Sequence, residues 1–106
     1  MSLNTTFPKA VPMQRVKLIA SGRVQGVGFR GFVCRIANSM QLVGSVKNLP
    51  DGTVEIIVEG DERKIAQLAK RIGGIKLALG VHVERLDEVA REKINRLACP
   101  SFTSAY

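Results

Sequence analysis

Short stretches in which apolar and polar residues alternate predict β-strands at several places along the chain. The four predicted strands cover residues 15–21, 45–48, 53–59 and 81–89. In the last of these the period slips near Arg85 and Leu86, which predicts a β-bulge. Because Pro100 cannot lie inside a central strand, residues 101–106 are predicted to form a short closing strand at an edge of the sheet.

Two other segments carry apolar residues at the helical spacing of three and four. The first stripe runs from Phe29 to Met40 and the second from Ile65 to Ile72. Asp61 is predicted to cap the second helix, and Gly73-Gly74 to end it. Residues 49–52, Leu-Pro-Asp-Gly, predict a tight turn, so the strands on either side of it should pair as an antiparallel hairpin.

The resulting order is strand, helix, strand, strand, helix, strand and a closing segment. This order predicts an α+β protein with a ferredoxin-like split βαβ sandwich, in which two helices pack on one face of an antiparallel sheet. Residues 1–14 include Pro8 and Pro12 and show no sustained period, which predicts a flexible N-terminal arm. Residues 15–106 are then one domain, a size that a single core can support.

The formal net charge of +7 fits an anionic partner but does not choose among nucleic acid, an acidic membrane and a phosphorylated metabolite. No apolar run is long enough to span a bilayer and no secretory signal is recognisable, so we expect a cytoplasmic protein without a membrane partner.

Carboxylates are dispersed along the chain, and we expect neither a metal nor another cofactor. The two cysteines, Cys34 and Cys99, form no CxxC motif, and whether they are thiols or a disulfide stays open.

A glycine-rich segment, residues 25–30, joins the first predicted strand to the first predicted helix. Glycines allow successive backbone N–H groups to converge, and a helix N-terminus adds partial positive charge, so such a loop binds tetrahedral anions. Arg30 in the first helical turn can reach the same point, where its planar guanidinium matches two phosphate oxygens. The alternative is that the glycines only make a tight connection. The loop lacks both the Walker A ending and the dinucleotide-binding spacing.

The signature loop of the acylphosphatase family resembles residues 22–30 of this chain, GRVQGVGFR. A second motif of that family has a glycine, a valine, a basic residue, an asparagine and an Asp-Gly turn. Residues 44–55, GSVKNLPDGTVE, are similar to it, although Ser45 stands where the family often has an aromatic residue. The resemblance extends from about Arg15 to Tyr106.

The resemblance implies two catalytic residues, with Arg30 holding the phosphoryl group and Asn48 orienting the attacking water. It also implies a phosphate-binding cradle made by Gln25, Gly26, Val27, Gly28, Phe29 and Arg30. The expected activity is that of an acylphosphatase, which hydrolyses a small-molecule acyl phosphate to a carboxylate and inorganic phosphate by in-line attack of water. The expected enzyme is a metal-independent monomer.

Alternatives remain at each level. The main rival function is a non-catalytic anion- or RNA-binding module on the same fold. An RNA-recognition sheet needs exposed aromatics on its central strands. Here the aromatics lie elsewhere, at Phe7, Phe29, Phe32, Phe102 and Tyr106, so nucleic acid is not expected.

A third possibility is a module of a larger carbamoyl-transfer enzyme. Asn48 can instead bond its local turn backbone, and His82, the only histidine, is expected to face away from the core.

Overall fold

The computed structural model of this protein describes residues 12–26, 28–74 and 80–105. The elements within these ranges follow the predicted order, with a fifth strand closing the sheet. They are β1 (Met13–Arg23), α1 (Phe29–Ser39), β2 (Val43–Asn48), β3 (Val54–Asp61), α2 (Glu62–Gly73), β4 (His82–Ile94) and β5 (Phe102–Ala105). Neither of these helices has the length and apolar character needed to cross a lipid bilayer.

The strands form one five-stranded sheet in the order β4-β1-β3-β2-β5. β1 pairs antiparallel with β3 and β4, and β2 pairs antiparallel with β3, as the split βαβ arrangement requires. β5, however, runs parallel to β2, so the predicted antiparallel sheet is wrong at this edge. The reason is topological: β4 ends where β2 begins, and a chain that crosses along that end of the sheet enters β5 in the direction of β2.

A hydrophobic core lies between the sheet and the two helices. It forms because alternate residues of β1 from Val16 to Ala20 and of β3 from Val54 to Val58 are apolar and buried, and the apolar stripes of α1 and α2 pack against them. Its strand members include Val16, Leu18, Ala20, Val46, Val54, Ile56, Val58, Val83 and Phe102, and its helix members Phe29, Val33, Ala37, Ile65, Leu68 and Ile72. The fold therefore confirms the predicted α+β class with both helices packed on the sheet.

Several strand boundaries differ from the prediction, and two of the differences change which residues belong to the sheet most clearly. β1 begins at Met13 rather than Arg15, so the last two residues of the predicted arm belong to the sheet, where Met13 pairs with Asp61 and Ile94. β4 continues through Ile94 although its end is polar, because backbone pairing with β1 needs no apolar side chains. Residues 1–11 of the predicted arm and Tyr106 of the predicted last strand lie outside the described residues.

The pairing of β4 with β1 is interrupted twice. One register shift leaves Glu84 without a partner on β1, directly before Arg85, where the slip in the sequence period predicts a bulge. The other leaves Val89 unpaired. A bulge adds local twist and bends an edge strand, and the first one is confirmed within one residue of its predicted place.

The segment that connects β4 to β5, residues 95–101, crosses the sheet and is held by Glu59 of β3. Glu59 is fully buried. One of its carboxylate oxygens accepts hydrogen bonds from the backbone N–H groups of Ala98 at 2.8 Å and Cys99 at 3.1 Å. The other accepts one from Arg15 Nε at 2.6 Å. This carboxylate fixes the path by which the chain reaches β5.

Candidate active site

The loop after β1 turns through conformations that favour glycine. Gly26 has a φ of 73° and Gly28, the N-cap of α1, a φ of 83°, both in the left-handed region. Phe29 follows at once and is buried, so it anchors the start of α1 to the core. The sequence thus places an exposed glycine turn on a fixed helix end.

The start of α1 is uncapped. No side chain of the described residues caps it, and its first turn holds no acidic residue. By contrast, the start of α2 has a side-chain cap, because Asp61 accepts a hydrogen bond from the Arg63 N–H at 2.8 Å. It also has an acidic residue, Glu62, in its first turn. Since the first N–H groups of a helix lack intrahelical partners and carry partial positive charge, the start of α1 suits an anion.

A cavity of about 300 Å³ opens at this helix start. It is lined by Val24, Gly26, Gly28, Phe29, Arg30, Gly31 and Ser104. The structure therefore brings four residues of the predicted cradle, including Arg30, around one small concave space. Val27, also predicted there, lies outside the described residues. The volume is at the lower end for ligand sites, which fits a small substrate.

Ser104 of β5 forms part of the wall of this cavity, a position that the sequence patterns do not predict. It pairs with Val46 of β2. Its side chain projects on the helix-covered face because Phe102, two residues earlier, is buried in the core. The alternation of Phe102 and Ser104 was the available signal, but the parallel pairing that brings them to the site is a long-range feature.

Asn48 lies at the same end of the sheet as this loop. It pairs with Val54, which in turn pairs with Ala20 near the end of β1. Asn48 shares strand parity with the buried Val46, so its side chain projects on the face that α1 covers. It does not itself line the 300 Å³ cavity.

The carboxamide oxygen of Asn48 is buried and accepts no hydrogen bond from any residue that the structure describes. The alternative in which this oxygen bonds the local turn backbone is therefore not observed. A buried acceptor without a partner is uncommon in folded proteins, and it calls for a ligand or a water molecule. Asn48 thus keeps an acceptor available near the uncapped helix start.

Gln25 departs from the other predicted cradle residues. Its side chain leaves the loop and donates from Nε2 to the carbonyl oxygens of Leu49 and Thr53, each at 2.8 Å. Gln25 does not line the cavity. Its predicted contribution to the cradle, through its backbone, stays a prediction.

The remaining reactive side chains offer little chemistry. Both cysteines are free. Burial raises the pKa of the Cys34 thiol, and the nearby charges of Arg30 and Arg35 only partly oppose this, so the thiol is protonated at neutral pH and a weak nucleophile. His82 is exposed, as predicted. In the part of the chain that the structure describes, no three His, Cys, Asp or Glu side chains are grouped as metal ligands.

Comparison with known proteins decides the family. The model of the acylphosphatase family matches residues 16–102. The chain belongs to the acylphosphatase family. An acylphosphatase from Lactococcus lactis is 40% identical over 92 residues, which cover 86% of this chain and 94% of that protein. One from Chlorobaculum tepidum is 51% identical over 59 residues, 56% of this chain and 64% of that protein.

A solved structure agrees with these sequence matches. The acylphosphatase of Bacillus subtilis superposes with a TM-score of 0.71 at 32% identity, over 88% of this chain and 99% of that one. In three relatives, including the Chlorobaculum protein, the aligned segment spans only 53% to 64% of the relative's length. The comparisons confirm the predicted family and fold, and they favour an acylphosphatase over a non-catalytic binding module.

Proposed function

We propose that this acylphosphatase-family chain hydrolyses acyl phosphates to a carboxylate and inorganic phosphate by in-line attack of water. The observation that carries the proposal is the uncapped start of α1, where a glycine turn and Arg30 enclose one cavity at the sheet end that also bears Asn48. An anion bound there can accept hydrogen bonds from the backbone N–H groups of the first helical turn, which have no partners within the helix itself.

In this proposal the loop from Gln25 to Phe29 holds the phosphoryl oxygens through backbone N–H groups. Arg30 adds a full positive charge and two parallel donors to the same group. In the transition state these donors neutralise the charge that the three equatorial phosphoryl oxygens carry.

The chemistry of the leaving group explains why so few catalytic groups are enough for hydrolysis. An acyl phosphate expels a carboxylate, whose conjugate acid has a pKa of about 4. Such a group departs as an anion without a strong general acid. The remaining tasks are to place water in line with the breaking bond and to neutralise phosphoryl charge, so the proposal includes no metal.

We assign the placement of water to Asn48. Its buried carboxamide oxygen can accept a hydrogen bond from the water and direct an oxygen lone pair at phosphorus. The new bond joins the water oxygen to phosphorus while the bond from phosphorus to the acyl oxygen breaks, and its electron pair leaves with the carboxylate. Because an amide is not a base, the water proton passes to a phosphate oxygen of the substrate.

Replacing Arg30 with alanine tests the phosphate-binding half of the proposal. We expect kcat/KM for benzoyl phosphate to fall by about 10²- to 10³-fold and inhibition by inorganic phosphate to weaken, because the bidentate charge is lost. The matched control is Arg35→Ala, an exposed arginine further along α1. Assays run in a chelator should give the same rates, and full turnover by Arg30→Ala would refute the assignment.

Replacing Asn48 with alanine tests the water-positioning half. We expect kcat to fall by about 100-fold while the inhibition constant of inorganic phosphate stays unchanged, because phosphate contacts are separate from water placement. Asn95→Ala, in the exposed segment after β4, is the control. A parallel loss of phosphate affinity would mean that Asn48 shapes the cradle instead.

The proposal also includes a monomeric, cytoplasmic enzyme that does not bind nucleic acid. What supports the last point is the lack of any aromatic residue on β1 or β3, the central strands of an RNA-recognition sheet. Light scattering, cell fractionation and an RNA titration at several salt concentrations test the three statements. Tight, sequence-selective RNA binding without acyl phosphate turnover would favour the rival function.

A further inference from the structure

One side chain connects the phosphate loop to the turn that follows Asn48. Gln25 lies just before Gly26 of the cavity, and its Nε2 group donates to both Leu49 O and Thr53 O at 2.8 Å. These two carbonyl groups belong to the residues on either side of the β2–β3 turn. Both amide protons are used, so the carboxamide is fixed at two points.

The turn has hydrogen bonds of its own. The Leu49 N–H donates to Thr53 O at 2.9 Å and the Gly52 N–H to Leu49 O at 3.1 Å. Asp51 accepts from the backbone N–H of Thr53 at 3.0 Å. The carbonyl oxygens of Leu49 and Thr53 therefore each accept one hydrogen bond from the turn and a second from Gln25. Because the turn is closed without Gln25, the added bonds tie it to the end of β1.

This tie bears directly on Asn48. The peptide group that joins Asn48 to Leu49 supplies the N–H that bonds Thr53 O, the same oxygen that Gln25 holds. The Asn48 carboxamide oxygen accepts no hydrogen bond within the described ranges. The direction of that oxygen consequently depends on where the backbone is held.

We propose that Gln25 is a positioning residue whose carboxamide sets Asn48 at a fixed place relative to the Arg30 cavity. The inference rests on the proposed function, in which Asn48 orients the attacking water. The Gln25 side chain then adds a direct connection between the loop that receives the phosphoryl group and the strand end that places the water, beside the backbone pairing of β1, β3 and β2. A displacement of about 1 Å in such a geometry is enough to lower turnover strongly.

Gln25→Met keeps the length of the side chain and removes both donors. We expect kcat to fall about 10- to 100-fold, with the inhibition constant of inorganic phosphate unchanged, because Arg30 and the loop backbone still bind the anion. Gln25→Glu, which has the same shape without the NH₂ group, should act in the same direction. Gln67→Met, the same change on the exposed face of α2, is the control for both.

A double-mutant cycle with Asn48→Ala separates positioning from any independent role. If Gln25 acts through Asn48, then Gln25→Met should change kcat by less than about twofold in the Asn48→Ala background. An equal loss in both backgrounds, or a weakening of phosphate inhibition that matches the loss of kcat, would overturn the inference.

Amide hydrogen exchange gives a readout that does not depend on catalysis. The Leu49 and Gly52 amides should exchange faster in Gln25→Met than in the parent protein, while core amides of β3 remain protected. If the parent protein fails to hydrolyse acyl phosphates, the proposed function fails. Hydrogen exchange then decides the inference. Unchanged exchange of the Leu49 amide in Gln25→Met would show that Gln25 does not hold the turn, and faster exchange would support the inference.

Discussion

Glu59 is a carboxylate buried at a position where the alternation of β3 predicts only a polar residue facing away from the helices. Desolvation raises its pKa, but hydrogen bonds from the Ala98 N–H, the Arg15 guanidinium and the Cys99 N–H together outweigh it. The pKa of Glu59 is therefore lower in the folded protein than in the unfolded chain. Its interactions stabilise the fold above the unfolded-state pKa of about 4.3, and this contribution is lost as the pH falls through the folded-state value.

Glu59→Gln should destabilise the protein by about 1–3 kcal/mol at neutral pH, because an amide cannot accept from both the backbone amides and Arg15. Since the variant cannot ionise, its unfolding free energy should fall less steeply than that of the parent below about pH 5. Urea unfolding between pH 3 and 7 measures both effects. Glu55→Gln is the control, since its ion pairs with Lys17 and Lys47 are longer, at 3.7 and 3.9 Å.

The residues that position the fold and the candidate site differ in how far the sequence predicts their places. Arg30 and Asn48 lie in local motifs whose spacing is visible in the chain. Glu59 and Ser104 owe their places to a crossing between opposite edges of the sheet, and no local pattern encodes such a crossing. The hydrogen bonds from Gln25 to Leu49 O and Thr53 O were missed for the same reason, since both acceptors lie in a turn that is remote in sequence.

At the scale of elements, the two helices begin in opposite ways. α2 carries the cap predicted from the sequence, with Asp61 bonded to the Arg63 N–H and also to the Arg63 guanidinium. α1 starts on Gly28 without a side-chain cap. Among the described residues, the start of α1 beside the candidate site thus has no side-chain cap, whereas the start of α2 has one.

Asp61→Ala should cost about 0.5–2 kcal/mol, the usual effect of losing an N-cap. Glu62→Gln, which alters only the charge in the first turn, should cost a few tenths of a kcal/mol. Chemical denaturation with both variants measures the difference. Equal effects would show that the Asp61 side chain contributes charge rather than a cap.

Strand boundaries were predictable only where apolar residues mark them. The strands that face the core on alternate residues were found with small errors. The end of β4 was missed because its residues from Ala90 to Lys93 are exposed and its pairing with β1 is made by the backbone. The interruption at Glu84 was predictable because an extra residue disturbs the period itself, whereas the one at Val89 lies among exposed residues that carry no apolar period.

At the scale of the whole molecule, an anion bound at the start of α1 should act as a folding ligand. If only the native state assembles the loop, Arg30 and Ser104 around one cavity, then phosphate shifts the equilibrium by mass action. The stabilisation depends on the phosphate concentration relative to Kd and not on net charge alone.

Inorganic phosphate at about ten times its Kd should add about 1.4 kcal/mol and raise Tm by several degrees. Differential scanning calorimetry at constant ionic strength measures the shift, with potassium chloride as the control for screening. Arg30→Ala should remove most of it. An equal rise with chloride would show that general screening of the basic chain, rather than the cavity, is responsible.

The crossing to β5 has a consequence for the chain during its synthesis. A ribosome releases the polypeptide from its amino end, so the glycine turn and Arg30 emerge long before Ser104 does. Until β5 has been translated, the cavity lacks one wall and β2 is an uncovered edge with unpaired backbone groups. Between the appearance of β2 and that of β5, the nascent chain therefore exposes a strand edge that can pair with another chain.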